Sequence, residues 1–475
     1  MNLVMIVSDT LRWDYLGAYG NKWIFTPRLD ALAAESALFL DAYAEGLPTI
    51  PARRVIMTGR NIVPFQYRPQ KSDPVQGYGW HPLYDEDVTL AEHLADNGYF
   101  TAFFNDVYHM MKPGKNFHRG FDQWFWIRGQ EADPFGLPDR SRVEELMDRF
   151  SDGRGRKLPD DSWLIRHLVL RKDWKSDADT LVGQTMTAAA AWVRDYTLKK
   201  PFYLHIECFD PHEPWDPPPE YARRYEPAYG ESLDGCGYFM TTDKASPRVL
   251  ANTRAAYAGE VTLVDRWVGH VLDALGESGR LKETLVVFTS DHGCMMGEQG
   301  EIHKGEWRLR NQVTRLPLLI RHPGGQAAGA RVKGFVQHQD IMPTVLKLMG
   351  EPVPERALGR DIWGQTRGEA GAPEAVVSAY GRYASIRTAK WNLVRPWTKL
   401  PEAEKPHAQL YDLEADPEEL TNVIARQAAV AEGLSRRLEE HIARFAPLTT
   451  GSFQREMEAG GFVSFAALPK LDQYL

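Results

Sequence analysis

Residues 3–7, Leu-Val-Met-Ile-Val, run straight into Ser8 and Asp9, and they decide the fold. A short apolar run with no polar alternation reads as a strand buried on both faces. Four further runs of this kind follow, over 99–104, 202–208, 284–289 and 316–320. Stretches of helical periodicity separate them, so the expected fold is α/β, with a mainly parallel central sheet flanked by helices. Thr26-Pro27 predicts a helix through residue 32, with a cap and a proline at its first position. Val261, Val264, Val268, Val271, Leu272 and Leu275 form a helical stripe that ends near Gly276.

The pattern changes after about residue 365. Gly364, Gly368, Gly371 and Pro373 read as a linker, then 376–380, 384–388 and 391–394 as antiparallel strands with tight turns, then 424–445 as one helix. The expected organisation is a catalytic domain over 1–368 and a small C-terminal α+β domain over 369–450. The tail, 451–475, is too apolar to float freely and is expected to pack on the body or on a second subunit, which would make a homo-oligomer.

With 475 residues, the chain is long enough for a large core and a smaller appended domain. A hydrophobic content of 43% with 14 Trp excludes a disordered chain. A net charge of −8 provides no basic stripe, so nucleic acid is not an expected partner. The N-terminal run is too short and too quickly acidic for a signal peptide, and no 18-residue apolar window follows. A soluble, cytoplasmic protein with no membrane partner is expected. Cys208, Cys236 and Cys294 cannot all pair, which suits a reducing compartment, and they offer no metal-cysteine cluster.

In an open α/β sheet, ligands gather beyond the carboxyl ends of the strands. Asp9, His212 and the pair Asp291-His292 fall there. Each has a plain structural alternative: Asp9 as a turn cap, Asp291-His292 as an Asx-turn with a neighbouring histidine, His212 as a loop histidine. Two carboxylates and an imidazole at adjacent strand ends are costly to bunch unless a cation compensates them, which points to a divalent metal ion. Thr49 lies in Leu-Pro-Thr-Ile-Pro-Ala-Arg-Arg, residues 47–54, stiffened by Pro48 and Pro51 ahead of a short helix predicted from about Ala52 to Thr58-Gly59. Thr49 reads either as an ordinary N-cap or as a nucleophile facing an anionic group. Arg53, one turn on, suits the second reading, since a guanidinium can grip that anion or neutralise an alkoxide.

Several stretches together resemble the sulfatase family of the alkaline phosphatase superfamily: NLVMIVSDTLRWDYLGAYGN from residue 2, TPRLDALAAES from 26, PTIPARRVIMTGR from 48, DPHEPWDPPPEY from 210, VVFTSDHGCMMGEQGEIHKGEWRLRNQVTRLPLLIRHPG from 286 and QLYDLEADPEELTN from 409. The resemblance implies an alkaline phosphatase-like core and a small anionic ester as substrate. It also implies that Asp9, Asp291 and His292 bind one divalent cation, with Thr49 as a further ligand and the nucleophile. Arg53 would orient that nucleophile, His212 would protonate the leaving oxygen, and Lys304, with His303 before it, would contact the transferred group.

The departures from the family are informative. Sulfatases carry Cys or Ser, oxidised to formylglycine, where this chain has Thr49; threonine cannot form that aldehyde, so no formylglycine is expected. An adduct on Thr49 must instead be released by water attacking phosphorus or sulfur, a route that phosphoryl transfer tolerates well. Thr10 stands where the family often has a second aspartate. Fewer carboxylates plus an imidazole favour Mn²⁺, Zn²⁺ or Fe²⁺ over Ca²⁺. Asp106 stands near a family lysine, while His109 keeps the histidine role; Asp106 reads equally as a group facing a cationic or polyhydroxylated substrate or as a solvated turn residue. The leading expectation is a metal-dependent hydrolase of phosphate or sulfate esters, with phosphodiesters or phosphonate esters favoured by mechanism. Phosphoryl or sulfuryl transfer and a non-catalytic homologue are the alternatives.

Overall fold

The structure, a computed structural model, describes residues 1–66, 78–112, 114–130, 133–147, 163–230, 241–369 and 371–449. Its main sheet has eight strands in the order Arg331–Val332, Ala37–Phe39, Leu318–Arg321, Thr284–Ser290, Asn2–Ser8, Phe202–Cys208, Phe100–Asn105 and Gln123–Trp126. Asn2–Ser8 runs parallel to both neighbours, pairing Leu3 with Tyr203 on one side and with Leu285 on the other.

Alternation along this central strand divides the core. Val4 and Ile6 face helices Leu181–Asp195 and Pro247–Glu277. Leu3, Met5 and Val7 face the layer that holds Thr49–Thr58, Leu90–Asp96 and Ile341–Met349. All seven residues of the strand are buried, and each large aliphatic among them contributes about 1.5–3 kcal/mol. The mainly parallel α/β fold expected from residues 3–7 is thus the one observed.

Three local expectations change. The run 316–320 is broken: Arg315–Leu316 joins Ala42–Tyr43 in a separate three-stranded sheet, while Leu318–Arg321 lies antiparallel between Thr284–Ser290 and Ala37–Phe39. Pro317, between them, has no N–H to continue a ladder. The helix Pro27–Ala34 forms, but Thr26 does not cap it through its side chain. Its hydroxyl oxygen accepts from the Gly17 amide, and Asp265, from the long helix, takes the Arg28 and Leu29 amides instead. The stripe 261–275 belongs to a 31-residue helix, capped by Ser246 through the Val249 amide.

The C-terminal strands Ala375–Tyr380, Tyr383–Thr388 and Trp391–Pro396 are antiparallel, joined by Gln409–Asp412, which the turn-rich sequence there had hidden. A fifth strand comes from far upstream, Gly46–Leu47, parallel to Ala379–Tyr380. The last helix is Ala428–Thr449, later than the predicted 424–445, and its Leu434 and Leu438 share a cluster with Val55, Ile62, Val63 and Phe65. The tail, 451–475, and Cys236 lie outside the described residues; Cys208 and Cys294 are buried free thiols. No helix among the described residues is long and apolar enough to cross a membrane.

Candidate active site

Because Asn2–Ser8 and Thr284–Ser290 pair in parallel up to Ser8 and Ser290, Asp9 and Asp291 leave the sheet side by side. With His292 they form a fully buried group whose ligand atoms lie within 4.8 Å of one another. Thr10 sits between the carboxylates at φ +59°, a left-handed conformation that β-branched residues avoid. Three hydrogen bonds hold it there: its amide donates to Asp291 Oδ1 at 2.9 Å, its hydroxyl to Asp9 Oδ1 at 2.6 Å, and Tyr257 donates to its carbonyl at 2.8 Å. Thr10 therefore orients both carboxylates without adding charge.

His292 Nδ1 faces the Gly293 carbonyl at 3.0 Å, which assigns the proton to that nitrogen. Its Nε2 is buried with no hydrogen-bond partner and lies 3.4 Å from Asp291 Oδ2. Burial, reinforced by Lys304, pushes the imidazole down to about 3, so the ring is neutral. A lone pair facing a carboxylate oxygen with no hydrogen between them is the donor arrangement of a metal site. The residues present therefore fit a divalent cation. A Cβ on Gly293 would collide with the Gln312 carbonyl, so only glycine lets this turn pack.

Helix Thr49–Thr58 begins at Thr49 itself, three residues ahead of the predicted start, and Pro48 occupies the cap position. Thr49 is thus not an N-cap. Pro51 falls in the first turn, where its missing N–H carries no penalty, and Gly59 closes the helix at φ +64°. Thr49 is 2% exposed. Arg53, one turn on and fully buried, donates to Asp9 Oδ2 at 2.9 Å, to Asp291 and to Glu207 Oε2 at 3.1 Å; the same amino group lies 3.5 Å from the Thr49 carbonyl. Burial works against the guanidinium's charge, and Asp291, Glu207 and Asp9 more than restore it, so its pKa lies above the ordinary value. Burial raises Asp9, but Arg53 with His212 outweighs it and holds the carboxyl below its ordinary range; Asp291, buried and facing Asp9, is pushed up. A further positive charge is what allows both to ionise together.

Lys304 Nζ lies 2.8 Å from His212 Nε2 and 3.1 Å from Glu213 Oε1. His212 Nδ1 faces the Glu213 carbonyl at 2.7 Å, so Nε2 is the accepting nitrogen. Burial would raise Glu213, but His212 and Lys304 hold it well below its ordinary range. Asp9 feels both His212 and Lys304, which makes this cluster and the metal-ligand group one site. His303 stacks on Trp215 at 4.7 Å with Nδ1 3.6 Å from Glu213 Oε1. His109 packs edge-on to Trp80 and is separated from His212 by Phe209, which stacks on His212 at 4.0 Å.

Asp106 departs from one of its two readings. It is 0% exposed, so it is no solvated turn residue, and its oxygens accept from the Phe209 amide at 2.7 Å and the Thr185 hydroxyl at 3.3 Å. Burial pushes its carboxyl well up. Its observed place is as an internal acceptor that fixes the backbone ahead of His212.

Two acidic residues of the site were not anticipated. Glu213 is the third residue of Pro-His-Glu-Pro, and Glu207 lies within a strand read as uniformly buried. The available signal was Tyr203, His205 and Glu207 at a spacing of two, three polar groups directed to one face of a strand with no exposed face.

The chain is similar to known proteins. Residues 1–351 match the Sulfatase family, and residues 300–445 match the C-terminal part of N-sulphoglucosamine sulphohydrolase. An arylsulfatase of Clostridium perfringens is 27% identical over 455 residues, covering 89% of this chain and 90% of its own. The multifunctional alkaline phosphatase superfamily protein PehA of Trinickia caryophylli is 26% identical, with 76% of each covered. Among solved structures, the phosphonate monoester hydrolase of Agrobacterium radiobacter superposes with a TM-score of 0.69 at 23% identity, covering 93% of this chain and 95% of that one. The chain belongs to the sulfatase family of the alkaline phosphatase superfamily and is an ester hydrolase of that kind.

Proposed function

We propose that the protein is a metal-dependent hydrolase of phosphate diesters or phosphonate esters with Thr49 as its nucleophile. The observation that carries this reading is the placement of Thr49 at the start of a helix whose next turn, through Arg53, is bonded to Asp9 and Asp291. The likeness to an arylsulfatase makes sulfate esters the competing substrates. The residue at position 49 weighs against them, because a plain secondary alcohol can neither become an aldehyde nor expel sulfate through one.

Asp9, Asp291 and His292, with Thr49 as a further ligand, would hold a divalent ion, which would supply Lewis-acid polarisation of the ester and of the Thr49 hydroxyl. An imidazole among the ligands favours Mn²⁺, Zn²⁺ or Fe²⁺ over Ca²⁺. The Thr49 hydroxyl gives its proton to bulk water, and Arg53 stabilises the alkoxide that remains. As the Thr49 Oγ–P bond forms and the bond to the leaving oxygen breaks, Lys304 and His212 act as one proton-handling pair at that oxygen. Water then attacks phosphorus, passing a proton back to the Lys304–His212 pair, and as the Thr49 Oγ–P bond breaks Thr49 Oγ takes a proton from bulk water, which regenerates the free hydroxyl.

The test is turnover of 4-nitrophenyl phosphate, bis(4-nitrophenyl) phosphate and 4-nitrophenyl sulfate with Mn²⁺, for wild type and Thr49→Ala. The diester is expected to be the best substrate, and Thr49→Ala to lose at least about 10³-fold in kcat. Equal rates for the two proteins on all three esters would overturn the assignment.

A further inference from the structure

The face of strand Phe202–Cys208 that looks toward helix Thr49–Thr58 carries a buried polar chain. The Tyr203 hydroxyl lies 2.6 Å from His205 Nδ1, His205 Nε2 lies 2.8 Å from Glu207 Oε1, and Arg53 Nε donates to Glu207 Oε2 at 3.1 Å. All four residues are at most 1% exposed. With the Tyr203 hydroxyl donating to Nδ1, His205 donates from Nε2 to Glu207, so the strand's three polar side chains are linked in series and end on Arg53. A buried carboxylate with one of its oxygens reserved for Arg53 is not needed for packing; a neutral or apolar side chain would serve that purpose at lower cost.

Counting charge gives Glu207 a purpose. Asp9, Asp291 and Glu207 share the single guanidinium of Arg53, and Lys304 beside them is paired with Glu213, so three carboxylates against one unpaired cation leave two negative charges, matched by one divalent ion. Thr10, lying between the two ligand carboxylates, contributes none. Without Glu207, Arg53 would bear on Asp9 and Asp291 alone, competing with a metal for their oxygens and leaving the site one charge short.

We propose that Glu207, held in place by His205 and Tyr203, is a positioning residue of the metal centre: through Arg53 it supplies the third negative charge and draws the guanidinium off the ligand carboxylates, and so sets affinity for a divalent cation. The proposal rests on the metal-site reading above, and its test reads binding rather than turnover.

Titration of the metal-stripped full chain with Mn²⁺ alone, followed by calorimetry, provides that test. Glu207→Gln preserves shape and removes the charge; its Kd is expected to weaken by about tenfold or more, in the range seen when outer partners of metal ligands are changed. Glu207→Asp restores the charge and is expected to recover most of that loss. A Kd for Glu207→Gln within about twofold of wild type, or Glu207→Asp binding as weakly as Glu207→Gln, would overturn the proposal. Should Glu207→Gln fail to fold, Tyr203→Phe decides: it removes one hydroxyl from the chain and is expected to weaken Mn²⁺ binding about threefold, while an unchanged Kd would overturn the proposal. Wild-type protein that binds no Mn²⁺ would sink the metal-site reading itself, a result distinct from wild-type binding that is indifferent to position 207.

Discussion

Lys304 is the residue where the site's two halves meet: its ammonium touches His212 and Glu213, and its charge is felt by Asp9 and His292. Burial lowers its pKa, but Glu213 and Asp9 raise it further, so it stays protonated. Lys304→Met is expected to reduce kcat on bis(4-nitrophenyl) phosphate by about 10²-fold or more while leaving Mn²⁺ binding measurable, since it removes proton handling but no proposed ligand. Loss of Mn²⁺ binding with retained kcat would contradict that division of roles. Asp9, Asp291 and His292 were legible in the sequence because their residue types and strand-end positions coincide with what a cation requires, and Arg53 because it follows Thr49 by one helical turn. Glu207 was not, because its partner lies 154 positions away and its strand reads as apolar. The solvated-turn reading of Asp106 failed for a related reason: nothing local shows that a carboxyl near a strand end will be enclosed by the Phe209 amide and Thr185.

At the scale of elements, strand existence was clear wherever an apolar run was continuous, and failed where one proline divided a run between two sheets, as at Pro317. The start of helix Pro27–Ala34 was legible from Thr26-Pro27 but its cap was not, since capping by a distant side chain leaves no local trace. Asp265 illustrates this: it caps helix Pro27–Ala34 from another helix, and burial pushes its carboxyl up to about 7. A carboxyl whose folded pKa is raised favours the folded state most at low pH, where it is protonated, and that contribution fades as pH rises through the folded value. The melting temperature of wild type relative to Asp265→Asn is therefore expected to fall between about pH 4.5 and about pH 8. A constant or growing difference over that interval would show that the Asp265 carboxyl is ionised throughout.

For the whole molecule, the C-terminal sheet is completed by Gly46–Leu47, the two residues that lead into Pro48 and Thr49. Tyr380, at the end of the pairing strand, has its phenol pushed up to about 12 by burial, with Lys304 acting against it, so the second sheet reaches the site as well. The linker read around residues 364–373 concealed this, because strand exchange between distant segments leaves no signature in either. A chain ending at residue 369 is thus expected to lose soluble expression or activity, since it strips the partner from the strand that positions the nucleophile; a soluble, fully active 1–369 fragment would contradict the shared-sheet account. The most direct measurement is rapid mixing of the Mn²⁺-loaded protein with bis(4-nitrophenyl) phosphate, acid quenching, and peptide mass mapping alongside Thr49→Ala. A nitrophenyl phosphate adduct on the peptide that holds Thr49, absent from the variant, is the expected result. Nitrophenol release at the wild-type rate by Thr49→Ala, with the wild-type peptide unmodified, would contradict it.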